Sequence, residues 1–142
     1  MLDPSNGLKL SAGRGHLEPD AGVAVGMGGG YDTGPMRPTW IEQLVTAWMG
    51  DAGFIHQLDV KLNKPNNVGQ TSRVKASVVG KRQIDNSGVI ELLARVENWE
   101  GKITAAGRVA VVLPMRGEEQ YRANVPISLD TAAEIRSASE NQ

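Results

Sequence analysis

Two histidines, His16 and His56, stand in a chain that has no cysteine. An imidazole exchanges protons near neutral pH and is the commonest general acid or base. His16 lies in a glycine-rich stretch, Gly15-His16-Leu17-Glu18-Pro19-Asp20-Ala21, with Glu18, Asp20 and Asp32 as its nearest carboxylates in sequence. His56 opens an expected strand and reads as structural or exposed. Tyr31, Asp32 and Arg37 cluster before an apolar helix. Asp32 and Arg37 read as an ion pair that pins the loop; Tyr31 reads either as a packed lid or as the wall of a ligand tunnel. Several chemistries are excluded. Without cysteine there are no disulfides and no thiolate metal sites. The histidines are too far apart for metal-ligand spacing, so no metal and no cofactor is expected. A Ser-His-Asp triad has no nucleophile-elbow motif to support it. Gly26-Met27-Gly28-Gly29-Gly30 lacks the preceding strand and the spacing of a nucleotide loop.

The elements that must position these residues follow from the pattern. At 142 residues the chain fits one domain with a real core. Residues 1–39 hold four of the seven prolines and more than half of the 17 glycines. They read as a long loop, with a short strand at Leu8-Lys9-Leu10 and a helical turn near Pro19–Val25. A helix is expected over 36–50. Trp40, Ile41, Leu44, Val45, Trp48 and Met49 form one broad apolar face, Pro38 suits the first turn, and Gly50 and Gly53 stop it. Trp40 and Trp48 read as core residues that dominate the packing. From 54 to 113 the period is two, which predicts four strands of an antiparallel sheet with one buried face. Leu58, Val60 and Leu62 mark the first and Val74, Ala76 and Val78 the second. Ile90, Leu92, Ala94 and Val96 mark the third. Ile103, Ala105, Val109, Val111 and Leu113 mark the fourth, with a bulge or pleat break expected at Gly107. Turn residues separate them: Pro65-Asn66-Asn67, Asp85-Asn86-Ser87-Gly88 and Trp99-Glu100-Gly101. Residues 115–142 form a polar tail, in which Thr131–Ser137 could be a short helix capped by Asp130.

One helix followed by four long antiparallel strands resembles the second part of a hot-dog fold, an α+β architecture. The motifs extend the likeness. Tyr31-Asp32-x-Gly34-x-x-Arg37-x-x-Trp40, Leu44-Val45-Thr46-x-Trp48-Met49-Gly50-Asp51-x-Gly53, Gly69-Gln70-Thr71, Asn98-Trp99-x-Gly101 and Val112-Leu113-Pro114 resemble, in order and spacing, the MaoC-like acyl dehydratases. That family includes the (R)-specific enoyl-CoA hydratases. The resemblance covers roughly residues 14–114. It implies a hot-dog domain over 1–114, in which residues 1–35 overhang a tunnel, and an activity that adds water to, or removes it from, an acyl thioester.

The resemblance also assigns roles. His16 matches the family's catalytic histidine by the residues that follow it. The family's aspartate, five positions earlier, is Ser11 here. A serine cannot replace a carboxylate base at neutral pH. Gly34 matches the oxyanion position at the helix N-terminus, where open N–H groups and the helix dipole stabilise an enolate. Pro35 donates no hydrogen bond, so Gly34 or Met36 would provide it. Tyr31, Met36, Arg37 and Trp40 are the residues expected to meet substrate.

The expected partner is an acyl-CoA or an acyl-carrier thioester. Interspersed charges and a net charge of −1 give no basic stripe for nucleic acid. No apolar run approaches ~18 residues, so no membrane span is expected. The start, Met1-Leu2-Asp3-Pro4, lacks a signal-peptide pattern, and the expected location is cytoplasmic. Open strand edges predict a homodimer or higher homo-oligomer. An alternative, motivated by Ser11, is a non-catalytic hot-dog subunit paired with a catalytic partner. A hot-dog protein adapted to another small ligand or reaction is a third reading.

Overall fold

Glycines, prolines and asparagines set the element boundaries, and alternating apolar residues fill the elements between them. The computed structural model describes Gly7 and residues 12–118. A 3-10 turn, Ala12–His16, leads into α1, Pro19–Ala24. The main helix, α2, spans Met36–Met49 and ends at Gly50, whose φ of 70° opens the left-handed region. Four strands follow: β1, Phe54–Leu62; β2, Arg73–Ile84; β3, Ser87–Glu97; and β4, Ile103–Pro114. The expected strand Leu8–Leu10 and the expected helix Thr131–Ser137 lie outside the described residues.

All strand pairs are antiparallel, in the order β1-β4-β3-β2. β2, β3 and β4 form a meander, and β1 joins its far side. The helix lies on one face of this sheet. Ile41 and Val45 meet Leu92, Ala94 and Val96 of β3 and Ala105, Val109 and Val111 of β4. Ile55, Leu58, Val60, Val74, Ile90 and Leu113 close the edges of that cluster. Except for Ile55, which the register shift before Gln57 brings into phase, each of these strand residues sits on the face that the period of two assigned to the core.

Two expectations are corrected. Trp48 is not in the core: it is 50% exposed, and only Ile41 and Val45 among the helix's apolar residues are fully buried. Trp48 lies at the rim, where it lines a groove with Val74, Lys75, Ala76 and Val78 of β2. The fully buried core is built from valine, isoleucine, leucine and alanine, and Trp40 and Met49 of the helix pack against it half-buried. Gly107 carries no bulge either. It pairs regularly with Val60 and with Ala94. Its role is close approach, since a Cβ there would lie 2.1 Å from the Asp59 carbonyl oxygen. The register shifts fall instead between Ile55 and Gln57, between Val78 and Gly80, and between Val96 and Glu97.

The opposite face of the sheet carries ion pairs, two across β2 and β3 and one, Arg95–Glu97, within β3. Arg82 lies 2.8 Å from Glu91, Lys75 2.6 Å from Glu97 and Arg95 2.7 Å from Glu97. Hydrogen bonds from Lys75 first, and then from Arg95, hold the Glu97 carboxyl below its ordinary value of 4.5.

Candidate functional site

The overhanging segment is fastened by close backbone contacts. A Cβ at Gly22 would lie 1.8 Å from the Gly29 carbonyl oxygen, so α1 and the loop after it touch only because residue 22 is glycine. At Gly15 a Cβ would lie 2.8 Å from the Tyr31 ring. The β1–β2 connection then grips the segment from below. Asp32 N–H donates to the Asn66 carbonyl at 2.9 Å, and Val68 N–H donates to the Gly30 carbonyl at 2.8 Å. Tyr31 and Asn67 form an isolated antiparallel bridge.

A buried polar latch sits beneath. Asp32 and Arg37 are 7% and 5% exposed, and Arg37 Nε lies 3.1 Å from Asp32 Oδ2. Asn66 donates its backbone N–H to Asp32 Oδ1 at 3.0 Å and its Nδ2 to Asp32 Oδ2 at 2.8 Å. Arg37 NH1 donates to the Lys64 carbonyl at 2.6 Å and to the Thr104 carbonyl at 3.1 Å. The expected Asp32–Arg37 pair is present, and it ties the loop, the helix start, the β1–β2 connection and β4 together. A buried pair needs such additional hydrogen bonds to offset its desolvation.

His16 is oriented by Tyr31. Its Nδ1 lies 3.0 Å from the Tyr31 carbonyl oxygen, and the two rings meet edge to face at 4.3 Å. A carbonyl can only accept, so Nδ1 is the donor of this bond, and in the neutral ring the lone pair is on Nε2. A cleft of about 350 Å³ opens beside this ring, lined by His16, Leu17, Tyr31, Asp32, Thr33, Met36, Trp40, Asn66 to Gln70, and Ser72. Of the residues singled out in the sequence, His16, Tyr31, Met36 and Trp40 share this cleft. Arg37 is turned into the latch beneath it. Gly34 is not on its wall: a Cβ there would meet Leu62 at 3.2 Å. Its neighbours Thr33 and Met36 do reach the cleft, so the start of α2 opens onto it.

That start has no side-chain cap. Met36 N–H is used within the turn, donating to the Thr33 carbonyl at 3.1 Å. Among the described residues no group accepts from the Gly34 N–H. From the cleft an open trough continues between α2 and β2, past Leu44 and Val74 to Trp48 and Val78.

Asn66, Gln70 and Ser72 were not expected at the site. Asn66 was legible only as turn chemistry, since Pro65-Asn66-Asn67 reads as a turn whatever its side chains bind. Gln70 sat inside a family motif with no assigned role, and nothing in the spacing marked Ser72.

A helix laid across an antiparallel sheet of order β1-β4-β3-β2, with a segment over the helix start, matches a group of solved structures. The chain has the hot-dog fold. The (R)-hydratase from A. caviae involved in PHA biosynthesis superposes with a TM-score of 0.64 at 18% identity, over 70% of this hot-dog chain and 75% of that one. The MaoC-like dehydratase from Rhodospirillum rubrum gives 0.64 at 14% identity, over 73% and 75%. The ChsH1-ChsH2 complex from Mycobacterium tuberculosis gives 0.61 at 19% identity, over 70% and 74%. No family model matches the sequence, and no curated protein does. The structural neighbours nevertheless include the MaoC-like hydratases and dehydratases that the hot-dog chain's own motifs resemble. Among the described residues, no helix is long and apolar enough to cross a membrane.

Proposed function

We propose that this hot-dog protein is a MaoC-like hydratase or dehydratase that binds an acyl thioester, carried on coenzyme A or on a carrier protein. The observation that carries the reading is the shared cleft: His16, held through Nδ1 by the Tyr31 carbonyl, lines the same cavity as Thr33 and Met36 at the uncapped start of α2. Chemistry at the carbon next to a thioester needs both parts. His16 Nε2 takes or gives the proton at that carbon. The dipole of α2, with the Gly34 N–H that lies just behind Thr33, stabilises the enolate oxygen that forms. Tyr31 orients His16 through its carbonyl, Met36 and Trp40 contact the acyl group, and Arg37 positions the loop through Asp32. The named activities of the (R)-hydratase and MaoC-like dehydratase neighbours support this assignment.

The test is turnover of crotonyl-CoA by the purified protein. His16→Ala is expected to lose at least about 100-fold in kcat/KM with its thermal melting unchanged. Full activity in that variant would remove His16 from the mechanism.

A second reading is favoured by Ser11 and by the likeness to a two-protein complex: the chain is a hot-dog subunit that works with a catalytic partner. Robust turnover by the isolated protein rules that out. In either reading we propose self-association or pairing through β2, the open edge of the sheet beside the trough. The cysteine-free sequence fits a reducing compartment, and we assign the protein to the cytoplasm on that ground.

A further inference from the structure

The sheet has a second buried face. Ser87, Val89, Ala110 and Val112 are each 0% exposed. By strand alternation they point away from α2, because their neighbours Val109 and Val111 point toward it. Among the described elements, the helix that packs on the sheet is α2, and it lies on the other side. Among the described hydrophobic residues, Ile84 packs against Val89 and Val112, and it is itself only partly buried. A fully buried side chain touches about 6–12 others, so one isoleucine from the next strand is too little cover for this patch. The chain achieves the burial without a partner, so another of its own segments lies on this face.

The chain leaves the sheet beside that patch. β4 ends at Pro114, which pairs with Ser87. A turn follows: Glu118 N–H donates to the Met115 carbonyl at 2.9 Å, and Gly117 has a φ of 94°. At the other end of the described chain, the turn Ala12–His16 packs on Tyr31, by the start of α2. Residues 119–142 are polar in bulk, yet Tyr121, Ala123, Val125, Ile127 and Leu129 alternate with Arg122, Asn124, Pro126 and Ser128. A period of two gives an extended segment one apolar side. Pro126 falls on the polar side, and its missing N–H suits a segment outside the interior of a sheet. Charge agrees as well. The ion pairs of the outer face set four cations, Lys75, Arg82, Arg95 and Arg108, against Glu91 and Glu97. Residues 119–142 set Glu119, Asp130, Glu134 and Glu140 against Arg122 and Arg136, the opposite balance.

We propose that residues 121–129 lie with their apolar side on the outer face of β3 and β4, over Val89, Ala110 and Val112. The proposal is independent of the thioester reading. It makes this face an internal interface that is closed to partner proteins, and it leaves the flank beside β2 as the surface for a second chain.

The experiment uses the full-length chain, in which the lack of cysteine makes any introduced thiol unique. Ala110→Cys is compared with Asn86→Cys, exposed in the β2–β3 turn, by the rate of reaction with a maleimide under native conditions. Ala110→Cys is expected to react at least about 100-fold more slowly. Adding Val125→Asp and Ile127→Asp to the same chain is expected to raise that rate at least about 10-fold, with far-ultraviolet circular dichroism unchanged. Equal rates at positions 110 and 86 overturn the proposal. So does a rate at position 110 that the two tail substitutions leave unchanged. If a variant does not fold, methyl nuclear Overhauser effects in the wild-type chain decide. Contacts from Val89 or Val112 to Val125, Ile127 or Leu129 are expected. Contacts from those two valines to Leu8 or Leu10 instead, or to no residue of 119–142, overturn it.

Discussion

Arg37 carries more of the site's geometry than any residue that touches the cleft. Its guanidinium reaches Asp32, the Lys64 carbonyl and the Thr104 carbonyl at once, a set only a planar, multi-donor cation can serve. Arg37→Ala would leave the Asp32 carboxylate buried without its counter-charge. The expected cost is about 3–5 kcal/mol, read from urea unfolding. Arg37→Lys should recover only part of it, because one ammonium cannot span the three acceptors. The Asp32–Arg37 pair was legible in the sequence because opposite charges flanking a helix start have few other uses. Asn66 was not, because its identity is explained equally well by a turn. What distinguishes it is burial at 4% exposure, a property of the folded chain that a turn dipeptide does not encode.

The strands and the helix were readable because each has one periodic apolar face, and the period alone assigns the inward residues. The bulges were not readable. The shift at Val78 to Gly80 leaves a valine pair on an edge, and the alternation simply runs through it. Trp48 failed for a related reason: periodicity gives the direction of a side chain but not how much of it the neighbouring strand covers. Close backbone contacts within elements can be tested directly. Gly107→Ala would drive a Cβ to 2.1 Å from the Asp59 carbonyl oxygen and should part β1 from β4. Loss of several kcal/mol in chemical denaturation, or failure to fold, is expected. On the opposite sheet face Glu97 predicts a pH dependence. Its carboxyl is depressed in the fold by Lys75 and then Arg95, so its contribution is complete above the ordinary value of 4.5. That contribution falls away as pH drops through the depressed folded value. Glu97→Gln should cost about 1 kcal/mol at pH 7. The gap between variant and wild type should close on acidification, followed by thermal melting at a series of pH values.

At the scale of the molecule, three of the exposed apolar residues share one flank. Trp48 on α2 and Val78 and Val79 on β2 are all about half exposed beside a strand edge that no other strand pairs among the described residues. Such an edge invites a second strand. Val79→Lys and Val78→Asp together should shift the protein to a monomer in analytical ultracentrifugation, while far-ultraviolet circular dichroism stays unchanged. A wild-type protein that is already monomeric at micromolar concentration would refute the pairing.

The latch also dictates when the site can exist at all. Asp32 and Asn66 are 34 residues apart, and Arg37 reaches Thr104 across 67. The β2–β3–β4 meander needs only neighbouring turns to form, whereas the latch waits until β1 has closed against β4. Contacts of such long sequence separation form late in folding, after the transition state has fixed the sheet. Asp32→Asn should then accelerate unfolding and leave the refolding rate almost untouched, a chevron with one displaced limb. The cleft would be the last part of the protein to mature and the first to open.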